Sequence, residues 1–87
     1  MPYIADKDRL DIDCYVNRLE LETPGELNYA ITRMIDNYII DLGKLSYSRG
    51  NEVVGVLECA KLEFYRKILA PYEDKKLSEN GGVHRCD

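Results

Sequence analysis

A chain of 87 residues, 45% hydrophobic and 32% charged, is a single small soluble-type domain with a thin core, because a chain this short hides only ~60% of its unfolded surface. Its formal charge of −4 excludes general nucleic-acid binding through a basic stripe, and no apolar run approaches the ~18 residues of a membrane span. Cys14, Cys59 and Cys86 are widely spaced and odd in number, so they form no disulfide framework, and the opening MPYIADKDRLDID lacks an apolar signal region; the reading is a protein of the cytoplasm.

The pattern is all-α. A first helix is predicted over Asp6 to Glu20, where Ile12, Tyr15, Val16 and Leu19 fall on one stripe. Asp6, Asp8 and Asp11 crowd its first turns, as the helix dipole favours. The second helix has the clearest start in the chain: Thr23-Pro24-Gly25-Glu26 reads as a capping box with proline at the first helical position. Leu27, Ile31, Met34, Ile35, Tyr38 and Leu42 trace one face, Asn28 and Thr32 flank it, and Gly43 supplies the left-handed residue that ends the helix. A short connection leads to a third helix, capped by Ser48 or Asn51 and running to about Leu69, with Val53, Leu57, Ala60, Phe64 and Ile68 as its core stripe. Pro71 is expected to kink or end it, since proline brings no amide hydrogen. A short last helix over Tyr72 to Glu79 closes at Gly81 or Gly82. The expected architecture is a compact bundle of three main helices plus this short fourth one. It forms one domain over residues 1–80, with a flexible tail at 81–87.

Polar residues in the second half depart from simple amphipathicity. Val54, Leu62, Tyr65 and Leu69 make a second apolar arc beside the core stripe of helix three, and Glu58 and Lys61 project into it. Three readings stay open. The arc is a homo-oligomer interface built from Val54, Gly55, Glu58, Lys61, Leu62, Tyr65 and Leu69; or a pocket wall; or a loosely covered flank under a surface Glu58–Lys61 pair. Gly55 costs ~1 kcal/mol relative to alanine inside a helix, which close approach of another helix would offset, or which is simply tolerated.

Residues 1–43 carry four Lys/Arg against nine Asp/Glu, and residues 44–87 carry eight against seven, so an anion would be met in the second half. Seven tyrosines lie in a chain with one phenylalanine, and Tyr47, Tyr65 and Tyr72 share that half with Arg49, Lys61 and Arg66. Catalytic chemistry is hard to build: His84 is the single histidine, no glycine-rich phosphate loop occurs, and no carboxylate pair is singled out. His84 and Cys86 are two ligands at best, short of the four of structural zinc, so neither metal nor cofactor is expected.

GELNYAITRMI at Gly25–Ile35, LSYSRGNEVVGVLECAKLEFYRKILAPYEDKK at Leu45–Lys76, ENGG at Glu79–Gly82 and the opening MPYI resemble a small family of phage and bacterial helical proteins of uncharacterised function. The family often continues ENGD where this chain has Gly82. The resemblance implies a small helical protein from a phage or prophage setting and brings no catalytic assignment. Such proteins include oligomers that sequester signalling nucleotides and others that block host proteins. The expectation is therefore a non-enzymatic binding protein, a phage accessory or anti-defence protein that captures an anionic, nucleotide-like ligand. Its candidate ligand residues are Asn28, Arg33, Tyr47, Arg49 and Asn51, with Lys61, Tyr65, Arg66 and Tyr72. Arginine and lysine would pair phosphates, tyrosine would stack, and asparagine would read polar edges. The alternative is an adaptor or inhibitor that binds a host protein through the second apolar arc, or a structural protein.

Overall fold

The computed structural model describes residues 4–84. Met1–Tyr3 of the opening motif, and Cys86 with the end of the tail, lie outside the described residues. The chain divides into two units, Met1–Ser46 and Tyr47–Asp87, and every described element is helical.

The first unit holds α1 (Asp6–Val16) and α2 (Pro24–Asp41). Ala5 precedes α1 and offers no side-chain acceptor, so the start is held otherwise. The amides of Asp8 and Arg9 both bond the Ala5 carbonyl at 3.0 Å, and Arg9 reaches back with Nε to the Ile4 carbonyl at 2.9 Å. α1 stops at Val16, short of the expected Glu20, because the chain tightens after Asn17: Arg18 bonds the Tyr15 carbonyl at 3.2 Å and Leu19 the Val16 carbonyl at 3.0 Å. These three-residue turns end the i to i+4 ladder. α2 begins at the capping box. Glu26 N–H donates to Thr23 Oγ1 at 3.1 Å, and Glu26 Oε1 accepts from the amides of Thr23 at 3.0 Å and Glu22 at 2.9 Å. Gly43 follows with φ of 96°, a left-handed conformation that a side chain rarely adopts.

The second unit is one continuous helical run. α3 (Tyr47–Phe64) begins directly after Ser46, one position before the expected Ser48, and both Ser48 and Asn51 lie inside it. A π-helical turn (Tyr65–Leu69) follows, then α4 (Ala70–Asn80), which ends at Gly81 with φ of 82°. Pro71 therefore does not end the helix. The π turn just before it re-routes the ladder, with Ala70 N–H donating to the Tyr65 carbonyl five residues back. Widening the turn beside a proline is one way a helix absorbs the missing donor and the ring.

The compact bundle expected from the sequence is not formed within either unit. α1 and α2 do not pack along their lengths, and the run through Pro71 removes the turn that would have folded a last helix back onto α3. Among the described residues none is buried. Ile31, Ile35 and Val53 of the expected core are half-buried, whereas Leu27, Met34, Tyr38, Leu57, Phe64 and Ile68 are exposed. No described helix is long and apolar enough to cross a membrane.

Candidate functional site

Two concavities and one helix face gather the polar and aromatic residues of interest. The first concavity lies in the first unit, an open groove of about 720 Å³ between the 17–23 connection and α2. Leu19 and Leu21 enter from the connection, Tyr29, Ala30 and Met34 from α2, and Thr23, Glu26, Arg33 and Asn37 supply the polar atoms. Glu26 is committed to the cap. The two backbone amides that it accepts, Glu22 first and Thr23 second, hold its carboxyl below the usual range. Among the described residues, Arg33 is the cation that lines the groove. Its Nε donates to the Tyr29 hydroxyl at 2.8 Å and its guanidinium lies 5.2 Å from the Tyr29 ring, which fixes the fork.

The second concavity, about 450 Å³, lies at the far end of the second unit, where residues 81–84 pass beside α4. Tyr65, Tyr72, Glu73, Asp74, Lys76 and His84 line it. Tyr65 donates its hydroxyl to the Glu73 carboxylate, and that bond, together with the charge of Glu73, raises the phenol above its ordinary value. In a regular α-helix residues eight apart stand ~80° around and ~12 Å along the axis from one another; the π turn between Tyr65 and Glu73 changes that phase. Lys76 lies 5.6 Å from the Tyr72 ring and 3.5 Å from Glu79. Glu73 and Asp74 make this hollow unfavourable for an anion.

The nine ligand residues read from the sequence are thus distributed. Arg33 lies in the groove; Asn28, five residues earlier, sits ~140° around α2 from it. The Asn28 carbonyl accepts from the Thr32 hydroxyl at 3.0 Å. Tyr65 and Tyr72 meet in the acidic hollow. Tyr47 and Asn51 are exposed at the start of α3 and Arg49 is half-buried there. Tyr47 and Tyr72 are separated by ~37 Å of helix, so no small ligand touches both. Lys61 pairs with Glu58 at 3.1 Å and Arg66 with Glu63 at 3.6 Å, each one turn apart. The Glu58–Lys61 pair seen in the sequence is therefore made within the chain. Beside Gly55, no described atom other than its chain neighbours and the helix's own adjacent backbone lies within 4 Å of an added Cβ.

Sequence reasoning missed Leu19, Leu21, Tyr29 and Asn37 of the groove, and the Tyr65–Glu73 bond. The first two were assigned to, or just beyond, an over-long α1. Reading Asn17 as the end of the helix would have released them into a loop facing α2. The last depends on a π turn, for which only Pro71 gives a hint. Among the described residues, no three of His, Cys, Asp or Glu cluster as metal ligands.

No curated protein and no solved structure matches the chain. A family model described as a domain of unknown function (DUF6899) matches residues 1–83, and the chain belongs to that family.

Proposed function

We propose that the protein is a small, non-enzymatic binding protein that acts as a homo-oligomer, its helices completing their packing on association. One observation carries this reading: no described residue is buried in either unit, although Leu57, Leu62 and Phe64 of α3, Tyr65 of the π turn and Leu27, Met34 and Tyr38 of α2 are large and apolar or aromatic. Helices of 11 and 18 residues are marginal alone in water and owe their stability to packing of an apolar face. The covers available to these faces are the other unit and a further copy. Binding through such faces suits a protein partner better than a small anion, since Lys61 and Arg66 are each matched to a glutamate.

A second reading, capture of a small ligand with one anionic group, rests on the groove at Arg33. Its volume is within the roughly 300–1,000 Å³ of ligand sites, and the guanidinium is pre-oriented. The phage setting rests on the family resemblance alone.

Native mass spectrometry with thermal unfolding over a wide concentration range tests both. The expected outcome is a multimer whose midpoint rises with protein concentration. A monomer that unfolds cooperatively at one temperature, whatever its concentration, would overturn the oligomer reading, because the two units would then cover each other. A nucleotide mass retained by the protein and lost in Arg33→Ala would move the assignment to the groove.

A further inference from the structure

The surface running from α3 to Tyr65, the first residue of the π turn, carries a period that its composition conceals. Tyr47, Asn51, Val54, Glu58, Lys61 and Tyr65 follow one another at alternating spacings of four and three, the 3.5-residue average of a helix that lies along another helix. At ~100° per residue all six fall within about 80° of arc. Leu57 and Phe64 flank this seam on one side, Gly55 and Leu62 on the other. Every one of these side chains is exposed in the chain, Tyr47 at 88% and Phe64 at 57%. Gly55 leaves open space on its flank where a neighbouring side chain can enter.

We infer that this seam binds a second copy of itself, antiparallel, about a two-fold axis that passes between Glu58 and Lys61. The inference rests on the oligomer reading above and specifies its interface. The charges choose the orientation. In a parallel pair in register, Glu58 would face Glu58 and Lys61 would face Lys61, like charges at the centre of the seam. In the antiparallel pair each Glu58 meets the partner's Lys61, and the two-fold makes the contact twice. The same register places Val54 opposite Tyr65 of the second copy. It also brings Gly55 close to the second copy's Leu62, which lies on the same side of the seam, so the missing Cβ lies where that side chain arrives.

Within the chain the Glu58–Lys61 pair is 3.1 Å long and its side chains are 56% and 67% exposed, so a second copy can join it into a four-charge ring without first breaking a buried contact. A polar pair at the centre of such a seam weakens association and sets its register and direction. Overlap from Tyr47 to about Tyr72 gives a strip ~37 Å long. Half the girth of a helix ~10–12 Å across over that length is on the order of 600 Å² per copy. That is the lower bound of specific interfaces, ~1,200 Å² in total, and fits a reversible dimer.

Charge variants tested separately and mixed decide the matter. Glu58→Lys makes the centre wholly positive and Lys61→Glu makes it wholly negative. Each alone is expected to lose roughly tenfold or more in self-affinity. Mixed, they are expected to form a one-to-one heterodimer with recovered helical circular dichroism, although neither retains the pair within its own chain. Direction is read by disulfide trapping with Cys14, Cys59 and Cys86 replaced by serine. Val54→Cys should cross-link to Tyr65→Cys on another chain, and neither to itself. Self-affinity unchanged in both charge variants, a mixture that does not combine, or efficient Val54→Cys self-linking would overturn the inference. An oligomer that survives both charge variants would leave the oligomer reading standing with its interface elsewhere; a monomeric natural chain would remove both.

Discussion

Glu26 does more at the start of α2 than any other side chain in the first unit. One carboxylate oxygen takes the amides of Glu22 and Thr23, while the Thr23 hydroxyl takes the amide of Glu26. Because the folded carboxyl is held below its ordinary value, the cap contributes stability that is present above the unfolded carboxylate pKa of about 4.3 and is lost as pH falls through the lowered folded value. Thr23→Ala should cost about 1 kcal/mol in denaturant unfolding near neutral pH. Glu26→Gln, which still offers an acceptor oxygen, should retain most of the cap and flatten the acid-side loss. A Glu26→Gln variant with an unchanged acid limb would show that other carboxylates govern it. This cap was fully legible in the sequence, because Thr-Pro-Gly-Glu fixes the donor, the acceptor and the proline within four residues. The ligand set was not legible in the same way. Residue types alone selected Lys61 and Arg66, but their glutamate partners stand one turn before them, and spacing on the helix had already matched those charges.

At the scale of elements, the π turn is the least expected feature. Proline inside an apolar pattern reads as an end, and here the helix passes through it by widening over Tyr65–Leu69, directly before α4. The consequence for side chains is the Tyr65–Glu73 bond. Pro71→Ala restores the missing amide and removes the reason for the wide turn. The expected result is a regular α-helix from Tyr47 to Asn80, with Glu73 rotated away and the Tyr65 phenol titrating closer to its ordinary value. Tyrosine-resolved NMR titration reads this directly, and Glu73→Gln should give the same shift with the π turn intact. A Tyr65 titration unmoved in Pro71→Ala would mean that the turn does not depend on the proline. The existence, order and approximate span of the helices were legible from hydrophobic period, glycine and proline. The end of α1 and the phase of the helix beyond Tyr65 were not, since both turn on which carbonyl an amide chooses.

At the scale of the whole molecule, the absence of any buried residue among those described in either unit sets what the sequence could and could not say. The apolar stripes of α2 and α3 were real, but a stripe specifies that a face will be covered and leaves open by what. Period and charge on α3 are what the proposal of a second copy rests on, and composition alone offers neither.

The contacts within each unit are nearly all local, one turn of helix against the next. Local contacts form without closing long loops, and helices of this length relax in about a microsecond or less. If the proposed self-association completes the packing, the slow event of folding is an encounter between two molecules. Refolding after rapid dilution from denaturant should follow second-order kinetics, with a half-time that lengthens as the protein is diluted. A half-time independent of concentration would assign the slow step to the single chain. A half-time that lengthens on dilution would make the amount of protein present its own timer, a newly made chain staying incompletely folded until it meets another.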